Sequence, residues 1–173
     1  MKLSLKIEDI DYGAATAKLQ PLLADAPEHI PQEISALAGF INSCRKPLLE
    51  AINAKLSARK IGVTVTDFSV SSDLTVTAQL GRLDYPDLVN RFLPAVRKKL
   101  LNMGGPAALL RPMIEKASAE QICGLLDRFA GGNKDAFLAS LINQNQKKLI
   151  SYIEKAAKKE HIPLKVHSVH AEV

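Results

Sequence analysis

The sequence contains no tryptophan, and its three tyrosines and five phenylalanines keep the aromatic share at 5%. A core built from this composition is mainly aliphatic. Proteins that bind single-stranded nucleic acid commonly stack its bases on aromatic side chains, and so few rings argue against that function. We therefore do not expect nucleic acid as a partner, and no motif in the chain suggests a cofactor.

Cysteine is scarce as well, since only Cys44 and Cys123 occur. Both lie in apolar stretches with helical periodicity, where a cysteine is more often a buried thiol than half of a disulfide. A disulfide between the two stays open as the alternative. Buried thiols favour a reducing compartment, and we expect a cytoplasmic location.

Long apolar runs are missing too. No segment approaches 18 consecutive apolar residues, and the first residues, Met1 to Lys6, contain neither an apolar region nor a small-residue cleavage site. The sequence therefore predicts no transmembrane segment and no signal peptide.

The 173 residues are enough to bury a core without metals or disulfides, and an apolar share of 47% suits a globular protein. The net charge of +5 is unevenly distributed. Residues 1–73 hold 8 basic and 9 acidic residues (−1), whereas residues 74–173 hold 15 basic and 9 acidic residues (+6). The basic second half either attracts an anionic partner or presents the solvent face of lysine-rich helices.

An internal repeat is the main signal in the chain. Ile10-Asp11-Tyr12 recurs as Leu83-Asp84-Tyr85, an offset of 73, and Ile41-Asn42 recurs as Ile142-Asn143, an offset of 101. Residues 32–69 align with residues 133–170 without a gap, and nine of the 38 pairs are identical. The difference between the offsets places 28 extra residues in the second copy, at about 97–132.

Each copy has the pattern of a strand, two helices and a returning strand, with cores at 3–70 and 76–171. We predict one α+β domain, residues 1–173, composed of repeats 1–72 and 73–173. Its internally duplicated β-α-α-β unit would form a four-stranded, mostly antiparallel sheet with helices packed on one face. The second copy would carry an extra inserted helical pair. The strand order does not follow from the sequence.

Local signals refine this fold. The short gap at Ser71 to Asp73 predicts a hairpin, with a pseudo-two-fold axis near it. In each returning strand the alternation of inward-facing apolar residues shifts by one position, which predicts a bulge near Asp67 in the first copy and near Ser168 in the second. Pro47 predicts a kink or break near Lys46 in a helical stretch from about Pro31 to Lys60.

The repeated polar residues are the candidate sites. Asp11-Tyr12 and Asp84-Tyr85 are interpreted mainly as structural, with the Asp starting a helix and the Tyr wedged against the sheet. The alternative is a symmetric polar pair that lines a groove.

Asn42 and Asn143 stand in apolar helical runs, where a buried amide must find partners. The structural interpretation is a bond from each Asn to a strand backbone. The functional interpretation is that both converge on the pseudo-axis and bind a ligand. Lys46 and Lys147 lie four residues further along the same helix face and would hold its anionic group.

Three histidines, His161, His167 and His170, cluster near the C-terminus. No carboxylate or cysteine stands beside them at metal-ligand spacing, so we expect no metal site. No catalytic motif is recognisable either, although an enzyme without a readable motif stays an alternative.

The sequence leaves the function unknown and favours a non-catalytic module that binds a small ligand or a partner in a groove near the pseudo-axis. The alternative is that the basic second half docks an anionic protein, nucleic acid or membrane surface. The lightly charged insertion also suggests a homodimer contact through residues 106–130.

Overall fold

A computed structural model describes residues 1–22, 34–102, 109–129 and 133–173. Within these ranges the chain combines a four-stranded antiparallel sheet with α-helices, so the predicted α+β class is confirmed. The strands are β1 Lys2–Ile10, β2 Val63–Val70, β3 Thr75–Leu83 and β4 Leu164–Glu172.

The sheet has the order β2-β3-β1-β4, and all three pairs of neighbours are antiparallel. β1 and β3 form the centre, with Ser4 opposite Thr77. β2 and β3 follow each other as the predicted hairpin, whereas β4 returns from the far end of the chain to pair with β1.

The predicted bulges occur in both outer strands. The partner of Leu80 is Val65 while that of Gln79 is Asp67, so β2 holds one extra residue. In β4 the shift falls between Val166 and Ser168, opposite Ile7 and Lys6. After each bulge the opposite set of alternate residues faces the core, as the shift in the apolar pattern of each strand predicts.

The helices before the inserted region are α1 Tyr12–Leu19, α2 Ile34–Ser43, α3 Arg45–Ala58, α4 Tyr85–Arg91 and α5 Leu93–Asn102, with a 3₁₀ turn at Gln20–Leu22. The later helices are α6 Arg111–Lys116, α7 Ala119–Phe129, α8 Lys134–Gln144 and α9 Gln146–Lys159. The sequence also predicts a helix start at Gly104 and a helix stop at Gly131-Gly132, and both positions lie outside the described residues.

Three predicted helices are interrupted. The break at Cys44, before Pro47, was expected. The apolar pattern of residues 85–101 predicts one continuous helix, and this prediction is wrong. The helix breaks at Phe92, just before Pro94, which lacks the N–H that a continuing helix would use. The pattern of residues 133–160 also predicts one long helix, which is wrong because the chain breaks at Asn145. Asn145 Nδ2 donates to the Leu141 carbonyl (2.8 Å) and competes there with the helical pattern.

The helices pack on one face of the sheet. α2 and α3 contact β2, while α8 and α9 contact β4. The strand residues beneath them, such as Phe68 and Val169, are buried, whereas Thr66, Ser69, His167 and His170 of the outer strands are exposed.

The core has two clusters. The first-half cluster contains Leu48, Phe68 and Val70, with part-buried Leu56 and Val76 against it. The second-half cluster joins α4 to α8, and its most deeply buried side chains are Leu100, Ile114, Ile122 and Leu126. None of the helices in the described ranges is both long and apolar enough to cross a membrane.

Candidate functional site

Asn42 lies on α2 and bonds to the outer edge of the sheet. Its Nδ2 donates to the Val70 carbonyl (2.7 Å), and its Oδ1 accepts the Val70 N–H (2.8 Å). One side chain thus satisfies both backbone groups of one residue on β2, as a neighbouring strand would.

Asn143 on α8 makes the same pair of bonds with Ala171 of β4, at 3.0 and 2.8 Å. β2 and β4 are the two outer strands, about 14 Å apart across three strand spacings. Asn42 and Asn143 therefore do not lie together, and each amide oxygen and nitrogen already has a backbone partner. Lys46 and Lys147 are exposed and form no ion pair within the described ranges. Ligand binding by these four residues stays a prediction.

Further helix residues bond to the same strand edges. Asn53 on α3 donates to the Val65 carbonyl (2.8 Å) and accepts its N–H (2.9 Å). On β4, Glu154 accepts the Val166 N–H (2.9 Å). Together with the two asparagines, these residues occupy backbone groups that would otherwise be available to pair with another strand.

Gln146, at the start of α9, donates to the Val169 carbonyl (2.8 Å) beside the β4 bulge. Sequence reasoning missed Asn53, Gln146 and Glu154. The available signal was that Asn53 and Glu154, like Asn42 and Asn143, are polar helix residues separated by 101 positions.

The two Asp-Tyr pairs begin helices. Asp11 accepts the Ala14 N–H (2.9 Å) at the start of α1, and Asp84 accepts the Asp87 N–H (3.2 Å) at the start of α4. Burial, and then the charge of Asp9, raise the pKa of Tyr12. The predicted capping role of both aspartates is thus observed.

Tyr85 packs against the second-half cluster rather than only against the sheet. Its hydroxyl donates to the Asp135 carboxylate. Lys134 Nζ lies 5.3 Å from the centre of its ring and 2.7 Å from Asp127 Oδ1. Tyr85 therefore connects α4 to the start of α8.

In the described ranges, the thiols and the three C-terminal histidines are not assembled into a site. Cys44 is half-buried and Cys123 is buried, both as free thiols, and burial raises the pKa of Cys123. The β4 bulge brings His167 and His170 onto the exposed face, where His170 lies 3.6 Å from Glu172. Within the described part of the chain, no three His, Cys, Asp or Glu residues are grouped to hold a metal ion.

A small apolar crevice opens among α4, α5, α7 and α8, with a volume of about 20 Å³. Nine of its ten lining residues are aliphatic or aromatic, and the tenth is Lys134. Three of the chain's eight aromatic rings, those of Tyr85, Phe92 and Phe137, line it. Phe92 is 44% exposed, so part of its ring faces solvent at the edge of the crevice.

Lys99 lies beside one wall of this crevice. Its Nζ is 5.2 Å from the centre of the Phe137 ring and donates to Ser140 Oγ and to Gln144 Oε1 (3.2 Å). Both hydrogen-bond acceptors are neutral, and partial burial lowers the pKa of Lys99. Within the described ranges this ammonium group forms no ion pair with a carboxylate.

The chain matches no model of a known protein family, no curated protein and no solved structure.

Proposed function

We propose that the chain is a non-catalytic binding module for a small amphipathic anion, whose apolar part enters the crevice among α4, α5, α7 and α8. The observation that carries this proposal is the aromatic lining of the crevice, which includes the half-exposed ring of Phe92. Binding sites for small molecules combine such an apolar lining with a few placed polar groups.

The crevice must widen to admit a ligand. A volume of about 20 Å³ is close to that of one water-sized probe, and an apolar lining gives a water few partners. The break between α4 and α5 at Phe92 provides a place for this movement. We therefore expect a flexible acyl chain or a single ring to enter rather than a large rigid ligand.

Lys99 is our candidate for the contact with the anionic group. Its partners Ser140 and Gln144 leave the positive charge without a carboxylate in the described ranges, and Phe137 joins it to the crevice. An incoming carboxylate or phosphate would supply this missing countercharge. Lys134, also at the crevice, is already paired with Asp127.

We further propose that this module arose by duplication of a β-α-α-β unit. Three observations support the idea. The bonds of Asn42 to Val70 and of Asn143 to Ala171 are equivalent under the offset of 101. Leu3 pairs with Ala171 as Val76 pairs with Val70, and these two pairs are equivalent because Leu3 and Val76 differ by 73 positions and Val70 and Ala171 by 101. The bulges in β2 and β4 are likewise at equivalent positions.

The start of each outer strand supplies the third observation. Asp84 N donates to the Gly62 carbonyl (2.6 Å) and Asp11 N donates to the Pro163 carbonyl (2.9 Å), again at equivalent positions. A pseudo-two-fold axis would then pass between Ser4 and Thr77, in the middle of the sheet, instead of near Ser71 to Asp73. The crevice lies among helices of the second repeat, so we propose the site there and not on this axis.

The first test is native mass spectrometry of the freshly purified protein, followed by calorimetric titration with decanoate and with decanol. We expect decanoate to bind and decanol, with the same chain but no charge, to bind several-fold more weakly. Absence of any retained mass together with no binding of either probe would contradict the proposal.

Variants assign the binding to the crevice. Phe92→Ala should weaken decanoate roughly tenfold, because an aromatic wall is lost. Ile52→Ala, at a side chain of α3 that is 37% exposed, is the matched control and should bind normally. Lys99→Met should abolish the preference for decanoate over decanol while decanol binding persists. Equal binding by all three variants would exclude the crevice as the site.

A further inference from the structure

The helix α6 is apolar on two sides. Leu110 and Ile114 pack against the second-half cluster. Leu109, just before α6, is 85% exposed, and Met113 on α6 is 54% exposed. Leu109 precedes the turn at Leu110 and Met113 follows it, so the two exposed apolar side chains lie four positions apart in sequence, on either side of the start of α6. A helix that packs against a core normally presents polar residues outward, so this outer apolar side calls for a partner.

The chain around this apolar side is basic. Residues 97–120 contain five basic residues and two acidic ones, a net charge of +3. Lys98 on α5 and Lys116 at the end of α6 are exposed, while Arg111 pairs with Glu115 (3.1 Å). The Arg97 guanidinium donates to the Ala117 carbonyl (2.5 Å) and so joins α5 to the end of α6.

We propose that this surface, formed by Leu109, Met113, Lys98 and Lys116, docks on an anionic lipid bilayer. Leu109 and Met113 would enter the interface between headgroups and acyl chains, and the two lysines would lie among the lipid phosphates. Charge complementarity supports this partner, because a net positive segment flanks an apolar protrusion.

The small extent of the apolar surface, two side chains, favours a lipid partner over a protein. A stable protein interface buries on the order of 1,000 Å² with close complementarity, whereas two protruding side chains need only a fluid surface that adapts to them. Two apolar side chains are a weak anchor alone. Attachment should therefore be reversible and should require the anionic lipid as a second contribution.

The test is co-sedimentation of the full chain with vesicles of phosphatidylcholine, alone or mixed in equal parts with phosphatidylglycerol. We expect binding to the mixed vesicles only, with a steep loss as salt is raised. Leu109→Ser combined with Met113→Ser should reduce it roughly tenfold or more. The matched control is Ile52→Ser combined with Tyr152→Ser, which removes exposed apolar side chains elsewhere (37% and 70%) and should bind like the native chain.

A second double variant, Lys98→Gln with Lys116→Gln, should lower the affinity for mixed vesicles and flatten the salt dependence. An unchanged urea midpoint shows that each variant is folded, and this control does not depend on any binding at the crevice. Equal binding to neutral vesicles, or full binding by the Leu109 and Met113 variant, would overturn the proposal. So would a dimer that sediments without lipid and dissociates in that variant, since the surface would then be a subunit contact.

Discussion

Asn143 holds Ala171 by both of its backbone groups: the amide nitrogen donates to the carbonyl at 3.0 Å, and the amide oxygen accepts the N–H at 2.8 Å. This pair joins the C-terminal end of α8 to the edge of the sheet, 28 residues away in sequence. It explains why a polar residue stands in an apolar helical run.

The asparagine bonds predict a stability effect without a binding effect. Asn143→Ala or Asn42→Ala leaves a backbone N–H and C=O without partners, and should lower the free energy of unfolding by about 1–3 kcal/mol. Urea denaturation measures this loss. Lys147→Ala and Lys46→Ala are the neighbouring controls and should change stability by less than ~0.5 kcal/mol. Loss of decanoate binding in either lysine variant would instead support the ligand role first predicted for these positions.

Substitution of glycine by alanine should have opposite effects on stability at Gly62 and at Gly39. A Cβ at Gly62 would lie 2.5 Å from the Asp84 Cβ, in a segment also held by the bond from Gly62 N to Asp87 Oδ2 (3.0 Å). Gly62→Ala should therefore destabilise the fold by roughly 1–3 kcal/mol. Gly39→Ala on α2 meets no atom within 4 Å and should stabilise it by about 0.5–1 kcal/mol. Thermal unfolding compares the two, and equal shifts would contradict the close approach at Gly62.

Asp73 predicts acid sensitivity at the hairpin. Hydrogen bonds from Ser71 and then Thr75 lower its pKa to about 2 from 3.8. A depressed pKa means that the stabilisation is complete above about pH 4 and is lost as the pH falls toward 2. Asp73→Asn should therefore flatten the pH dependence of the urea midpoint in this window. NMR titration of the Asp73 carboxyl carbon checks the pKa directly, and a midpoint near 4 would refute this assignment.

The different burial of the two cysteines predicts the order in which a thiol reagent modifies them. Cys44 is half-buried, while Cys123 is buried in the second-half cluster and burial raises its pKa. Because the thiolate is the reactive form, a maleimide should label Cys44 first and Cys123 only after unfolding. Mass spectrometry of the timed reaction measures the order. Cys44→Ser should then leave the native protein almost unlabelled, and rapid labelling of that variant would show that Cys123 is accessible.

Local signals predicted much of the local structure. Ser118 and Gln121, three positions apart, predict a capping box before α7, and the structure contains it. Ser118 N donates to Gln121 Oε1 (2.9 Å), and Gln121 N donates to Ser118 Oγ (3.3 Å). Asn133, a residue type that favours helix starts, caps α8 by accepting the Ala136 N–H (2.9 Å). These features depend on residues three positions apart, so the chain specifies them before any distant segment is in contact.

The candidate site was less accessible to sequence reasoning. Phe92, Phe137 and Lys99 belong to three separate segments, and none of them carries a motif. Only the packing of α4, α5 and α8 brings them together. The partner of Asn42 could not be predicted either. A buried amide needs hydrogen-bond partners, but the sequence does not show whether a ligand or a strand provides them.

The sequence by itself determined the strand and helix periods, the helix starts at Asp11 and Asp84, and the phase slips that mark both bulges. These follow from side-chain alternation and from hydrogen bonds within a few residues. The tertiary structure alone decided the order β2-β3-β1-β4, the partners of Asn42 and Asn143, and the crevice behind Phe92. Those features depend on which distant surfaces bury each other, and several arrangements satisfy the same local pattern until the whole core is packed.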